Sequence, residues 1–218
     1  MIEVQNALSL ERFAPYLRVC DGDLLAAARL YAWNIEISAA FHGPLHCLEV
    51  VLRNALHRHL VRLFDRADWW TAPRLCLDQV APQKIATARM EVARARTIPT
   101  TGHIVASLMF GFWVNLLASG NDYETRLWRP ALHQAFPGYE GRRGPLHRDL
   151  YHVRLLRNRI AHYEPIHKRH LAADHSTIVR VLSYLSPETA AWVELNDRVP
   201  EVLARRRDVC AAVVPCRL

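Results

Sequence analysis

At 218 residues, 51% hydrophobic and 22% charged, the chain has the material for one sizeable core, which excludes a disordered or fibrous protein. Twenty-eight Lys and Arg against 21 Asp and Glu leave a net charge of +7, so anionic partners are favoured, nucleic acid before an acidic membrane surface. The five cysteines (Cys20, Cys47, Cys76, Cys210, Cys216) are odd in number and form no C-x-x-C pair, which argues against a disulfide framework or a thiolate zinc site and fits a reducing cytoplasm.

The N-terminus lacks the basic and apolar stretches of a secretion signal. The most apolar run, 104–118, is short of a bilayer crossing and contains Asn115, so it reads as a buried helix rather than a membrane span. Apolar residues recur at helical spacing through nearly every long segment, with no evident strand or repeat. The expected architecture is all-α, one domain over 1–218 with a flexible tail from about residue 209.

In chain order, a first short helix is expected over 9–19, ended by Asp21-Gly22-Asp23. A second spans 23–40, with Asp23 as N-cap and Leu24, Ala27, Leu30, Tyr31, Asn34 and Ile35 along one face. His42-Gly43-Pro44 is expected to interrupt it, Pro44 suiting the first turn of the longest helix, 44–64. Residues 68–82 read as a loop with Trp69-Trp70 plugging the core. Segment 81–96 reads as a polar, Ala-rich helix with Glu91, Arg94 and Arg96 solvated.

After a linker at 99–102, Thr100 or Thr101 would cap an apolar helix over 103–117, with Phe110, Phe112 and Trp113 in the core and Gly111 allowing close packing. A loop-rich stretch follows, and then a helix over 145–162 that Pro165 stops at or just before Glu164. Shorter helices are expected over 174–184, 187–195 and 200–207, with Arg205-Arg206-Arg207 a solvated run.

Chemistry concentrates in 155–167, LLRNRIAHYEPIH. Arg presents phosphate with a planar fork of donors, and His exchanges protons near neutral pH. On a helix Arg154, Asn158 and His162 stack at i, i+4 and i+8, with Tyr151 one turn earlier and Val153, Leu156 and Ile160 on the buried side. Arg157 lies about 140° from His162 and Arg159 about 60° from it, and spacing does not choose between them as phosphate ligand. Asn158 is placed to hold the imidazole in one tautomer. The bland alternative has His162 in a last turn satisfying orphan carbonyls.

Helix 44–64 carries a second stripe, Glu49, Arg53 and His57, with Asn54 beside Arg53 and with His42 and His46 leading in if helical phase holds. A plain Glu49–Arg53 surface pair, worth about 0.2–0.5 kcal/mol, is the competing reading. His162, His167, His170 and His175 are irregularly spaced across Pro165 with no paired carboxylate or thiolate, so no metal is expected. No phosphate-loop, dinucleotide or G-x-S-x-G fingerprint occurs, and no cofactor is expected.

These residues carry a resemblance. Arg157–His162 matches the R-x4-6-H signature of HEPN domains, with a polar residue after the Arg, and Glu49–Arg53 matches the accompanying E-x3-[KR] element. More specifically the chain resembles the Abi-like proteins associated with bacterial abortive infection. The matching stretches, in order over 30–193, are LYAWNIEISAAF, LEVVLRNALHRHL, SLMFGFWVNLL, LRNRIAHYEPI and SPETAAWV. Some toxin-type HEPN proteins have Tyr two residues after the His; that position here is Glu164.

The resemblance implies a HEPN-like helical bundle with additional helices, metal-independent cleavage of RNA, and a role in phage defence or a toxin–antitoxin-like growth arrest. It implies Arg157 rather than Arg159 as the phosphate ligand, because Asn158 follows directly. The implied catalytic set is Arg157, Asn158 and His162, with Glu49, Arg53, Asn54, His57, Arg154 and Arg159 supporting the site or touching RNA. Implied partners are RNA, a second copy forming a composite active site, and an inhibitor or antitoxin protein, without a membrane. Two other readings stand: a non-catalytic RNA- or nucleotide-binding sensor or scaffold, and a helical bundle that binds an acidic protein.

Overall fold

The computed structural model describes residues 2–95 and 98–217, and every regular element among them is helical. The all-α expectation therefore holds. Helices α1 (Ile2–Leu8) and α2 (Leu10–Leu17) part at Ser9, whose hydroxyl accepts from the Arg12 N–H. Asp21 and Gly22 both take positive φ and turn the chain. Asp23 then caps the next helix by accepting from the Leu25 and Ala26 N–H groups, and those bonds hold its carboxyl below the usual range.

The helix that follows is the axis of the molecule: α3, Leu24–Phe64, 41 residues and about 60 Å long. The interruption expected at His42-Gly43-Pro44 is absent. A proline inside a helix costs about 3 kcal/mol, because its ring clashes with the preceding turn and a hydrogen bond is lost. Around Pro44 the chain buries Phe41, Leu45 and Leu48 to 6% exposure or less. Each such side chain is worth about 1.5–3 kcal/mol, so the continuous apolar stripe outweighs the penalty.

Packed against α3 are α2, α6 (Phe110–Asn115), α8 (Leu171–Leu185), α10 (Val199–Ala204) and α11 (Arg206–Cys210). The motif helix α7 (Arg143–Ala161) starts two residues before Pro145 and lies against α6 and α8, burying Leu146, Leu150, Val153, Leu156 and Ile160. The helix α4 is described over Ala81–Ala95, and Arg96 lies outside the described residues; Glu91 and Arg94 of α4 are exposed. It packs against α5 (Thr101–Ser107), capped by Thr100. The helix α9 (Pro187–Asn196) begins at the Ser186 cap.

Trp69 is fully buried in a short 3-10 turn, Trp69–Thr71, as the plug reading expected. The loop-rich middle holds two further helical turns, Glu124–Trp128 and Leu132–Ala135. Each fully buried tryptophan has a partner for its indole N–H: Trp33 donates to the Val202 carbonyl, Trp69 to His57 Nδ1 and Trp113 to the Leu108 carbonyl. No helix among the described residues is long and apolar enough to cross a membrane.

The C-terminal end departs from its reading: the helix expected over 200–207 is two, α10 and α11. Arg205 and Arg206 are not a solvated run: Arg205 donates to Glu36 and to the Pro215 carbonyl, and Arg206 lies over the Trp33 ring. Glu36, 2% exposed, also accepts from the Cys216 thiol and the Arg217 N–H.

Candidate functional site

The motif sits where α7 ends. Ala161 is the last helical residue, His162 the C-cap, and Tyr163 takes the left-handed conformation at φ 55. The Glu164 N–H donates to the Arg159 carbonyl at 2.8 Å and the Tyr163 N–H to the Ile160 carbonyl at 3.0 Å, the two bonds of a Schellman closure. That closure, more often built on glycine, is tied down from outside. Arg12 donates to the Tyr163 carbonyl at 2.8 Å, and buried Asn34 accepts from the N–H groups of Ile166 and His167 at 2.8 and 3.1 Å.

Because the backbone closes the helix end, the His162 ring is not spent on capping. Its residue and Asn158 are exposed, and among the described residues neither side chain has a hydrogen-bond partner. The two are not bonded to each other, so the tautomer-fixing contact read from their spacing is not made here.

The three arginines of α7 differ in what remains free. Arg154 donates from Nη1 to Asn115 Oδ1 at 3.3 Å, lies 4.7 Å over the Tyr151 ring, and rests its stem where a Gly111 side chain would stand. Arg159 is turned into the closure, with Nη1 on the Pro165 carbonyl at 3.2 Å and Nε 3.5 Å from Glu164. Arg157 is half-buried, and its Nε lies 3.4 Å from Glu49 Oε2. Among the described residues its two Nη groups donate to nothing. It alone of the three keeps an open fork.

Of Glu49, Arg53 and His57, Glu49 is the one that pairs with an α7 side chain among the described residues. Its other oxygen accepts from the Phe110 N–H at 3.1 Å, while Arg53 donates to the Ala106 carbonyl at 3.2 Å. These bonds satisfy backbone groups at a corner the sequence did not announce. The helix expected over 103–117 breaks at Leu108 and Met109, both extended, so that α5 ends and α6 begins against α3. Each end leaves orphan backbone groups, and the two charged side chains supply partners instead of pairing with each other. His57 accepts from the buried Trp69, and burial, with Arg58 adding to it, holds its pKa below the ordinary histidine value. Asn54 is exposed.

Two clefts meet at Arg157. The larger, about 460 Å³, lies between α4, the α5–α6 corner and α7, and is also lined by Arg154 and Asn158. The smaller, about 200 Å³, runs from His42 and His46 past Glu49 and Arg157 to Ala161, beside His162. His42 and His46 are there because α3 is continuous, which keeps them in phase with Glu49. From α4, Lys84, Thr87 and Glu91 face the larger cleft at i, i+3 and i+7. That polar stripe belongs to no motif; the sequence reading singled out only Glu91 of the three, as a solvated residue. Among the described residues no three His, Cys, Asp or Glu side chains converge as a metal-holding group.

Compared as a whole, the chain matches no protein-family profile, no curated protein and no solved structure.

Proposed function

We propose that the chain is a HEPN-type, Abi-like endoribonuclease that cleaves RNA without a metal ion. One observation carries the reading: Arg157 is anchored at Nε by Glu49 and keeps both Nη groups free, on the same helix end as an uncommitted imidazole. A guanidinium held this way is suited to the non-bridging oxygens of a phosphodiester as negative charge develops on them.

In the reaction His162 takes the proton of a ribose 2′-hydroxyl, worth roughly 10²–10⁴-fold in rate. The 2′-oxygen attacks phosphorus and the P–O5′ bond breaks, leaving a 2′,3′-cyclic phosphate and a 5′-hydroxyl once the leaving oxygen is protonated. That proton calls for a second acid. A second copy of the chain related by a two-fold axis would supply it through its own His162. The exposed side of α7 supports such docking: Tyr151 and Leu155, each 38% exposed, continue into Asn158 and His162 at i, i+4, i+7 and i+11. Glu49 steers Arg157, while Arg154 and Lys84 track the strand.

The resemblance supports a role in phage defence or growth arrest, where an inhibitor or antitoxin protein restrains a nuclease that would otherwise harm its host. The test is incubation with total RNA in EDTA. Wild type cuts, His162→Ala and Arg157→Ala do not, and Arg159→Ala, whose guanidinium is already spent on the turn, cuts at close to the wild-type rate. Cleavage that survives loss of His162 contradicts the mechanism. Binding without cleavage by wild type supports instead a non-catalytic RNA-binding sensor.

A further inference from the structure

The larger cleft is more than an approach to Arg157, and its geometry points to a subsite for one unstacked guanine nucleotide of the RNA strand; this inference rests on the nuclease reading above. The cleft's volume of about 460 Å³ falls in the range of small-ligand sites. Its floor is apolar: Ala88, Leu108 and Phe112 lie beneath it and the Arg154 stem rests against Gly111, while Met109, 63% exposed, stands at the rim. Single-stranded RNA is read in sites of this character, where a splayed-out base meets an apolar surface and its edge meets polar groups.

Cations line that floor from two helices. Arg157 on α7 is held by Glu49 beside the Phe110 N–H, where α6 begins. Arg154, one turn earlier on α7, rests against Gly111 and bonds to Asn115, and Lys84 of α4 lies near the same Asn115. An apolar floor flanked by three cations suits a base together with the phosphates of its strand.

The base is specified by the group that faces it from α4. Glu91 is exposed and accepts from the Ser107 hydroxyl through Oε2 at 2.9 Å, which turns the carboxylate toward the cleft's α5 side, and Oε1 has no partner among the described residues. An ionised carboxylate only accepts. Guanine alone of the four bases presents two adjacent donors, N1–H and N2–H, on its Watson–Crick edge. Adenine and cytosine set an acceptor beside their donor, and uracil flanks its N–H with two carbonyls. Each of those acceptors would face the carboxylate and be repelled.

The test measures binding apart from cleavage. Oligouridylates of five nucleotides with G, A, C or U at the centre are titrated by fluorescence anisotropy into the His162→Ala protein. The strand with central G is expected to bind about tenfold more tightly than the other three. Glu91→Gln in the same background, or Thr87→Trp filling the cleft from an exposed helical position, is expected to bring it down to their level. Equal affinity for the four strands, no binding, or a G preference untouched by both substitutions overturns the subsite. A G preference in a protein whose wild-type form cuts no RNA leaves the subsite standing and removes the nuclease reading. Wild-type cutting with no preference at any base does the reverse.

Discussion

Arg154, Arg157 and Arg159 are chemically identical, and what separates them is what each guanidinium already holds. Arg159 is consumed by the turn it helps to close, and Arg154 is steered by Asn115 and the Tyr151 ring through part of its guanidinium, while Arg157 is fixed at one edge and open at the other. A second single-residue property concerns His167. It is 1% exposed, packs 4.7 Å from the Tyr16 ring, and among the described residues neither ring nitrogen has a hydrogen-bond partner. Burial first, then Arg206 and Lys168, push its pKa down to about 4 from the ordinary 6.5. Between those two values the unfolded chain takes a proton that the native state refuses. Stability therefore falls as pH drops from about 6.5 to about 4, by up to about 3 kcal/mol. Urea midpoints measured across that range should show the loss, and His167→Leu should flatten it with little cost at pH 7, since no hydrogen bond is removed.

At the scale of elements, the site depends on three helices held by side chains that cross between them. The sequence stripes were legible where periodicity alone decides: the Asp23 cap, the buried face of α7 and its stop before Pro165 all follow from local rules. Pro44 was misread because local rules see its penalty and not the buried stripe that offsets it. The α5–α6 corner was illegible for the opposite reason. Nothing in SLMFGFWVNLL breaks a helix, and the break exists because Glu49 and Arg53 on a distant helix meet its backbone. Asn34 is a like case, being read only as a point on a helix face. Asn34→Ala should leave the buried N–H groups of Ile166 and His167 unpaired, at about 1–3 kcal/mol each, and should slacken the turn beyond His162. A urea titration checks the first effect, and faster amide exchange at 163–167 the second.

For the whole molecule, a net charge of +7 favours anionic partners in general; the nucleic-acid binding proposed above would weaken with salt, and charge does not choose RNA over DNA. That choice belongs to the 2′-hydroxyl. The composition and periodicity reached the all-α architecture; the proposed second copy, restraining partner and RNA preference concern surfaces, which a single chain's periodicity does not encode. The central claim is that His162 and Arg157 use the 2′-hydroxyl as nucleophile, and one substrate tests it. A DNA strand with a single ribonucleotide, incubated in EDTA with the wild-type protein, should be cut only at the linkage 3′ to that ribose, leaving a 2′,3′-cyclic phosphate. Cutting at deoxyribose linkages, or cutting that appears only when a divalent metal is added, would contradict the account.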